Sequence, residues 1–251
     1  MDAEELTRMF ELFEGTQRQG PGSEATTRRA LASLPEDHRV ERVLDLGCGT
    51  GGSTLVLAAE LGAQVVAVDI HPPFLATLRQ QAAERGVSER ISTNVADMAG
   101  ISALGEGYDL LWAEGSAYTI GYDNALRTWR PLLRPGGCLV VSQLTWFAEQ
   151  PSEGARAYFA TEYPAMQHES ECVGEAREAG YRVLDSFRLP SGDWRSYYAG
   201  VRSAMQAAIA RHGDGAVFEA LRREEAIFEA FGDEYGYVCL TLQVTPEAAT
   251  Y

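Results

Sequence analysis

The chain has 251 residues, 45% of them hydrophobic, which is enough to bury one large core with excursions. Lys+Arg 21 against Asp+Glu 36 gives a formal net charge of -15, so the surface repels a phosphate backbone and nucleic acid is disfavoured as a substrate. All 21 basic residues are arginine; Schiff-base catalysis, the lysine grip of a P-loop and the Tyr-xxx-Lys pair of short-chain dehydrogenases therefore lack their amine.

In chain order, residues 1–30 read as an amphipathic helix followed by a loop, Arg18-Gln19-Gly20-Pro21-Gly22-Ser23, expected to cap the ligand edge of a sheet. The opening MDAEELTRMFELFEG has neither a basic n-region nor an apolar h-region. No later apolar run approaches the roughly 20 residues that span a bilayer, so a soluble, cytoplasmic protein is expected. From residue 40 to 145, short β-branched or Leu-rich runs alternate with helical patterns, the signature of βαβ units and a mostly parallel sheet. The strands fall at Arg42 to Leu46, Gln64 to Val68, Ile91 to Val95, Tyr108 to Ala113 and Gly137 to Thr145. Leu55, Ala58 and Ala59 share one helical face before a C-cap near Gly62. The next helix starts at Pro72 or Pro73, carries Phe74, Leu78 and Ala82, and ends at Gly86. Beyond 145 the pattern loosens: helices around Glu153 to Tyr163 and Glu169 to Ala179, a strand from Arg182 to Leu189, and two helices over 194–231 broken at Gly213 to Gly215. Tyr237 to Val244 alternates and ends at Pro246, as an antiparallel last strand would. No linker marks a second domain, so the expected organisation is one domain with a cap (1–30), a ligand-binding half (40–145) and a substrate-side half (146–251). Cys48, Cys138, Cys172 and Cys239 show no CxxC or zinc spacing and read as reduced thiols.

Chemistry concentrates where the first strand turns into a helix, at Val43-Leu44-Asp45-Leu46-Gly47-Cys48-Gly49-Thr50-Gly51-Gly52. Glycines at 47, 49 and 51 let the backbone turn sharply and approach a ligand closely. Gly47, Gly49 and Gly52 also satisfy GxGxxG, so the loop alone does not choose between a dinucleotide and another nucleoside ligand.

The DLGCGTGG run resembles the first motif of class I S-adenosylmethionine-dependent methyltransferases. Asp69, closing the second strand, sits where that resemblance implies an acidic partner for the ribose hydroxyls, with Ile70 beside it. Asp97-Met98 matches the position that reads the adenine edge, and Arg134-Pro135-Gly136-Gly137 is similar to the turn before the family's fifth strand. The resemblance covers residues 40 to 145 and lies nearest the ubiquinone/menaquinone-biosynthesis-like branch. It implies an α/β, doubly wound Rossmann-like sheet of seven strands, mostly parallel with a final antiparallel strand, plus an N-terminal helical cap. The implied cofactor is S-adenosylmethionine, with S-adenosylhomocysteine as product, and the implied reaction is methyl transfer to a nitrogen or oxygen of a small molecule. Two alternatives stay open: a nicotinamide-dependent oxidoreductase, and a non-catalytic S-adenosylmethionine-binding module.

On this reading the cofactor-binding residues are Arg18, Gly20, Asp45, Gly47, Gly49, Gly51, Asp69, Ile70, Asp97, Met98 and Glu114. Arg18 would pair with the carboxylate of the methionyl tail while Gly20 and Gly22 let the cap close. Asp45 reads either as a structural acceptor for loop N–H groups or as an indirect cofactor contact. The catalytic candidates are Glu114, Tyr118 and Tyr122, after the fourth strand, with Glu114 a general base or an acceptor for an amine. Tyr118, Tyr122, Trp146, Phe147, Trp194, Tyr197, Tyr198 and Tyr235 form an aromatic pocket hypothesis, suited to a sulfonium or an amine. His71 reads as a solvated helix-start residue. Asp123-Asn124 reads as a helix cap in preference to a metal ligand, and no metal is expected.

Overall fold

The computed structural model describes residues 3–245, without the side chains of residues 3, 102, 103 and 212. In chain order the elements are α1 (Ala3–Glu14), α2 (Glu24–Leu31), β1 (Arg42–Leu46), α3 (Thr54–Leu61), β2 (Gln64–Asp69), α4 (Pro72–Glu84), β3 (Ile91–Val95) and β4 (Tyr108–Ala113). There follow α5 (Tyr122–Trp129), β5 (Leu133–Trp146), α6 (Glu153–Glu162), β6 (Gln167–His168), α7 (Glu169–Glu178), β7 (Tyr181–Arg188), α8 (Ser191–His212), α9 (Ala216–Phe231) and β8 (Tyr235–Val244).

One sheet runs β3-β2-β1-β4-β5-β8-β7, with the two-residue β6 attached to β5. β1 to β5 are parallel, and β8 runs antiparallel to both β5 and β7. β4 is buried at every position, as a central parallel strand covered on both faces must be. Leu44, Leu111, Leu139 and Leu240 pack on one face against Trp129 of α5 and Cys172 and Ala176 of α7. Val43, Val65, Trp112 and Val140 pack on the other against Leu55, Leu57, Phe74 and Leu78 of α3 and α4 and the aromatic side chains of α8 and α9. The order of strands reverses direction between β1 and β4, which opens a crevice at their carboxyl ends, where ligands of open α/β sheets bind.

Most expected elements lie within a residue or two of their observed bounds, and the differences have local causes. β5 starts at Leu133 rather than Gly137 because Tyr108 pairs with Leu133 before the register shifts at Leu110. The front of the chain holds a second helix, α2, where only a loop was expected: Ser23 caps it by accepting from the Thr26 N–H at 3.1 Å. Asp123 does not cap α5; Gly121 does, while Asp123 sits in the first turn and pairs with Arg127. No helix among the described residues is long and apolar enough to cross a membrane.

Candidate functional site

The turn after β1 is built from three glycines with φ of 72° (Gly47), 54° (Gly49) and 95° (Gly51), all in the left-handed region that costs other residues about 1–2 kcal/mol. Their neighbours differ. A Cβ at Gly47 would meet the side chain of Ser116, and one at Gly49 would meet Gln19 from the cap. A Cβ at Gly51 would strike Leu78 of α4. Gly51 is therefore a packing position on the back of the turn and lies outside the cavity lining, a correction to its expected place among cofactor contacts. The turn is tied down from below: the N–H groups of Gly47 and Cys48 donate to the Val68 carbonyl at 2.9 Å.

Two buried carboxylates flank this turn. Asp45 accepts from the Thr54 hydroxyl at 2.5 Å, and complete burial pushes its pKa up to about 7. It lines the cavity, yet its hydrogen bond goes to the start of α3. Asp69 accepts from the Gly49 N–H through Oδ2 and the His71 N–H through Oδ1, both at 2.9 Å. Burial raises its pKa despite those two bonds. A carboxylate has about four lone-pair sites; the N–H groups of Gly49, His71 and Ile70 do not exhaust them, and the chemistry of this residue fits a ribose hydroxyl. Ile70 exposes 56% of its surface at the cavity edge, and Met98 and Asp97 line the same wall. Asp97 accepts from the Ala99 N–H at 2.9 Å.

The cap closes over the turn through side chains that sequence reasoning largely missed. Gln19 accepts from the Thr50 N–H at 3.0 Å, and its amide donates to the Thr50 hydroxyl at 3.2 Å. The C-terminal half of α1 is also met by His71, which stacks on Phe10 at 4.4 Å between centroids and meets Glu14 at 2.7 Å. His71 is thus a docking residue for α1, whereas a solvated helix start was expected. Nothing in composition marks it, because the partner helix lies 57 residues away. Gly20 lines the cavity, but a Cβ there would meet nothing, so the cap does not need glycine at that position to close. Gly22 does leave room, since a Cβ would lie 3.0 Å from Arg18 and 3.2 Å from Glu114.

Arg18 donates to Glu114 Oε2 at 2.8 Å and to the Thr27 hydroxyl at 3.2 Å. Glu114 Oε1 accepts from Thr27 at 2.8 Å and from the Trp112 indole at 3.0 Å. A carboxylate engaged by three donors is an anchored anion, which argues against its expected alternative as a general base and for a part in orienting an ammonium. Tyr118 reaches the cavity and Tyr122 does not. The Tyr122 hydroxyl donates to the Cys172 carbonyl at 3.3 Å beneath α7, so it is a core residue and its catalytic candidacy is corrected. Of the other aromatics expected at the pocket, Trp146, Trp194 and Tyr235 pack among themselves and Phe159. Phe147 lies under Arg188, and Tyr197 and Tyr198 belong to α8. The rings that do line the cavity beside Tyr118 are Phe10, Phe13 and Phe74.

These parts enclose a cavity of about 500 Å³ that runs from Ile70 and Asp97 past Gly47 to Glu114 and Tyr118, within the range of small-ligand and cofactor sites. Among the described residues no cluster of side chains could hold a metal ion.

Residues 43–137 match the protein family described as "Methyltransferase domain". The chain is 25% identical over 205 residues to Methyltransferase GfsG of Streptomyces halstedii, covering 80% of this chain and 73% of that one. It is 33% identical over 152 residues to the demethylmenaquinone methyltransferase of Thermus thermophilus, covering 58% of this chain and 66% of that protein. In fold it is similar to an S-adenosylmethionine-dependent methyltransferase of Geobacter sulfurreducens solved with S-adenosyl-L-homocysteine. That likeness has a TM-score of 0.79 at 22% identity and covers 94% of this chain and 97% of the other.

Proposed function

We propose that this chain, whose residues 43–137 match the methyltransferase domain family, transfers a methyl group from S-adenosylmethionine to a nitrogen or oxygen of a small molecule. When bound, S-adenosylmethionine supplies a methyl carbon on a cationic sulfur, open to in-line attack. The protein's own residues fit that group at three places. Asp69 has acceptor capacity left for the ribose, Ile70 and Met98 offer an apolar slot beside Asp97 for the adenine, and Arg18 with Glu114 presents one cation and one anion. The last pairing is the observation that carries the reading. A methionyl tail holds one carboxylate and one ammonium, so it can exchange partners with the Arg18–Glu114 pair without leaving either buried charge unmatched.

In this arrangement the chain contributes mainly positioning and the exclusion of water. α1 and Gln19 roof the cavity, and Phe10, Phe13 and Phe74 make its outer wall apolar. Tyr118 lines the same cavity, and in this reading it is the side chain that touches the acceptor. Holding the acceptor nitrogen or oxygen about 3–3.5 Å from the methyl carbon accounts for the larger part of such a rate enhancement. As the new bond forms, the carbon–sulfur pair stays on sulfur and the acceptor's proton leaves to solvent or to a nearby base. The 33% identity to a demethylmenaquinone methyltransferase supports the quinone-biosynthesis-like branch.

Calorimetry with S-adenosylhomocysteine, alongside transfer of a tritiated methyl group to an acceptor panel, tests this reading. Micromolar binding that falls at least tenfold in Asp69→Ala is expected. Absence of heat in both proteins, together with binding of a reduced nicotinamide nucleotide, would replace the assignment with the oxidoreductase reading.

A further inference from the structure

The apolar stripe of α9 runs Val217, Leu221, Phe228 at core spacing, and the position between the last two is Glu224. A carboxylate there is out of pattern. Its hydrogen-bond donor is the Tyr198 hydroxyl at 3.1 Å, a neutral group. The arginines nearby are engaged elsewhere: Arg202 pairs with Glu225, Arg222 with Asp214, and Arg223 lies 5.3 Å over the Tyr158 ring. Among the described residues no cation pairs with Glu224, and Glu162 and Glu225 add to the negative potential there.

The surroundings of Glu224 are phenolic. Tyr158, Tyr197 and Tyr237 expose only 7%, 9% and 7% of their surface, yet their hydroxyls have no hydrogen-bond partner among the described residues, and none is a closed-off atom. The Tyr197 ring lies 5.0 Å from that of Tyr198, the donor to Glu224, and hydroxyls that keep accessible surface beside a carboxylate with no cation describe a polar recess with room for a donor. Tyr118 joins this recess to the cofactor cavity: it lines the cavity, and its hydroxyl lies within electrostatic reach of Glu224. Burial raises the Glu224 pKa to about 7, the direction expected of an anion lacking its counter-charge.

We propose that the Glu224 carboxylate and the tyrosines around it form the acceptor subsite, and that it takes an organic amine that docks as its ammonium and gives up an N–H proton to Glu224 or to solvent, after which the freed lone pair takes the methyl carbon and the carbon–sulfur pair leaves on sulfur. The inference rests on the methyltransferase reading and narrows it from nitrogen or oxygen to nitrogen. The ring faces of Tyr158, Tyr197 and Tyr198 and the single negative charge match an ammonium better than a neutral hydroxyl compound or an acid.

The test uses full-length protein saturated with S-adenosylhomocysteine and two unreactive probes of the same shape, benzyltrimethylammonium and neutral neopentylbenzene, followed by tyrosine and tryptophan fluorescence. The cation is expected to bind at least tenfold more tightly than the neutral isostere. Glu224→Gln is expected to remove that preference while keeping the S-adenosylhomocysteine affinity within twofold. Should Glu224→Gln not fold, Tyr197→Phe with Tyr198→Phe must reduce the preference at least threefold. Equal affinity for the two probes, no binding of either, or a preference that survives the substitutions overturns the subsite. Loss of S-adenosylhomocysteine binding in the unmodified protein would instead overturn the methyltransferase reading, so the two failures are distinct.

Discussion

Arg18 and Glu114 are 96 positions apart in sequence and 2.8 Å apart in the fold, and with them the cap is joined to the carboxyl end of β4. The side chains expose only 18% and 10%, so the pair is only partly wetted. A partly buried ion pair tolerates removal of both partners better than removal of one. Arg18→Ala is therefore expected to weaken S-adenosylhomocysteine binding about 10- to 100-fold, and Glu114→Gln similarly. Combined, they should cost less than the sum. Additive losses in a calorimetric double-mutant cycle would show that the two side chains act on the ligand separately.

The three glycines of the turn predict two different phenotypes. Gly49→Ala places a methyl group against Gln19, where a side chain must give way, and should raise the dissociation constant for S-adenosylhomocysteine roughly tenfold while lowering stability only by the backbone strain of its positive φ, about 1–2 kcal/mol. Gly51→Ala carries the same backbone strain and also drives the methyl group into Leu78 within the core, adding about 1–3 kcal/mol of overpacking, read as a clearly larger fall in Tm without a matching loss of affinity. The reverse pattern would contradict the assignment of faces.

Buried Leu12 and Phe13 seat α1 in the core, and its edge toward α4 is fixed by the stack of Phe10 on His71 and the contact of His71 with Glu14. His71→Ala should leave the sheet intact, increase proteolytic cleavage between residues 15 and 23, and speed dissociation of S-adenosylhomocysteine several-fold in stopped flow. An unchanged off-rate would mean that the cap does not retain the ligand.

Glu224 ties stability to pH. Its folded pKa, about 7, lies above its value in the unfolded chain, so the protonated form is favoured by folding. That contribution is present in full below pH 4.5 and is lost as pH rises through 7, alongside a parallel loss from Asp45. Glu224→Gln should therefore raise Tm at pH 8, by the equivalent of roughly 2 kcal/mol, and change it little at pH 4.5. Thermal scans at the two pH values check the sign. The groups within electrostatic reach of this carboxylate are Tyr118, Tyr158, Tyr197, Tyr198, Tyr235 and Tyr237, together with Glu162 and Glu225.

The half of the fold that repeats βαβ was legible because its signals are local. Glycines with positive φ, a Pro-led helix and β-branched runs each declare themselves within a few residues, and Asp69 was readable from its place after β2. What stayed hidden depends on distant packing. Gly51 and Gly49 look alike in the sequence, and only the approach of α4 and of the cap separates them. Tyr122 looked as reactive as Tyr118, since four residues of a short loop and helix decide which hydroxyl meets the cavity and which meets Cys172. Gln19 carries no signal beyond lying beside Arg18. Glu224 was detectable in principle as an acid interrupting the apolar stripe of a helix, although its neighbours are charged and mask it.

Gln19 belongs to the roof of the chamber and also bonds its floor, at Thr50. Those bonds tie the segment that covers the cavity to the turn beneath it. A chain shortened ahead of Gly20 is therefore expected to let a bound nucleoside escape faster and to hold its methyl donor less tightly.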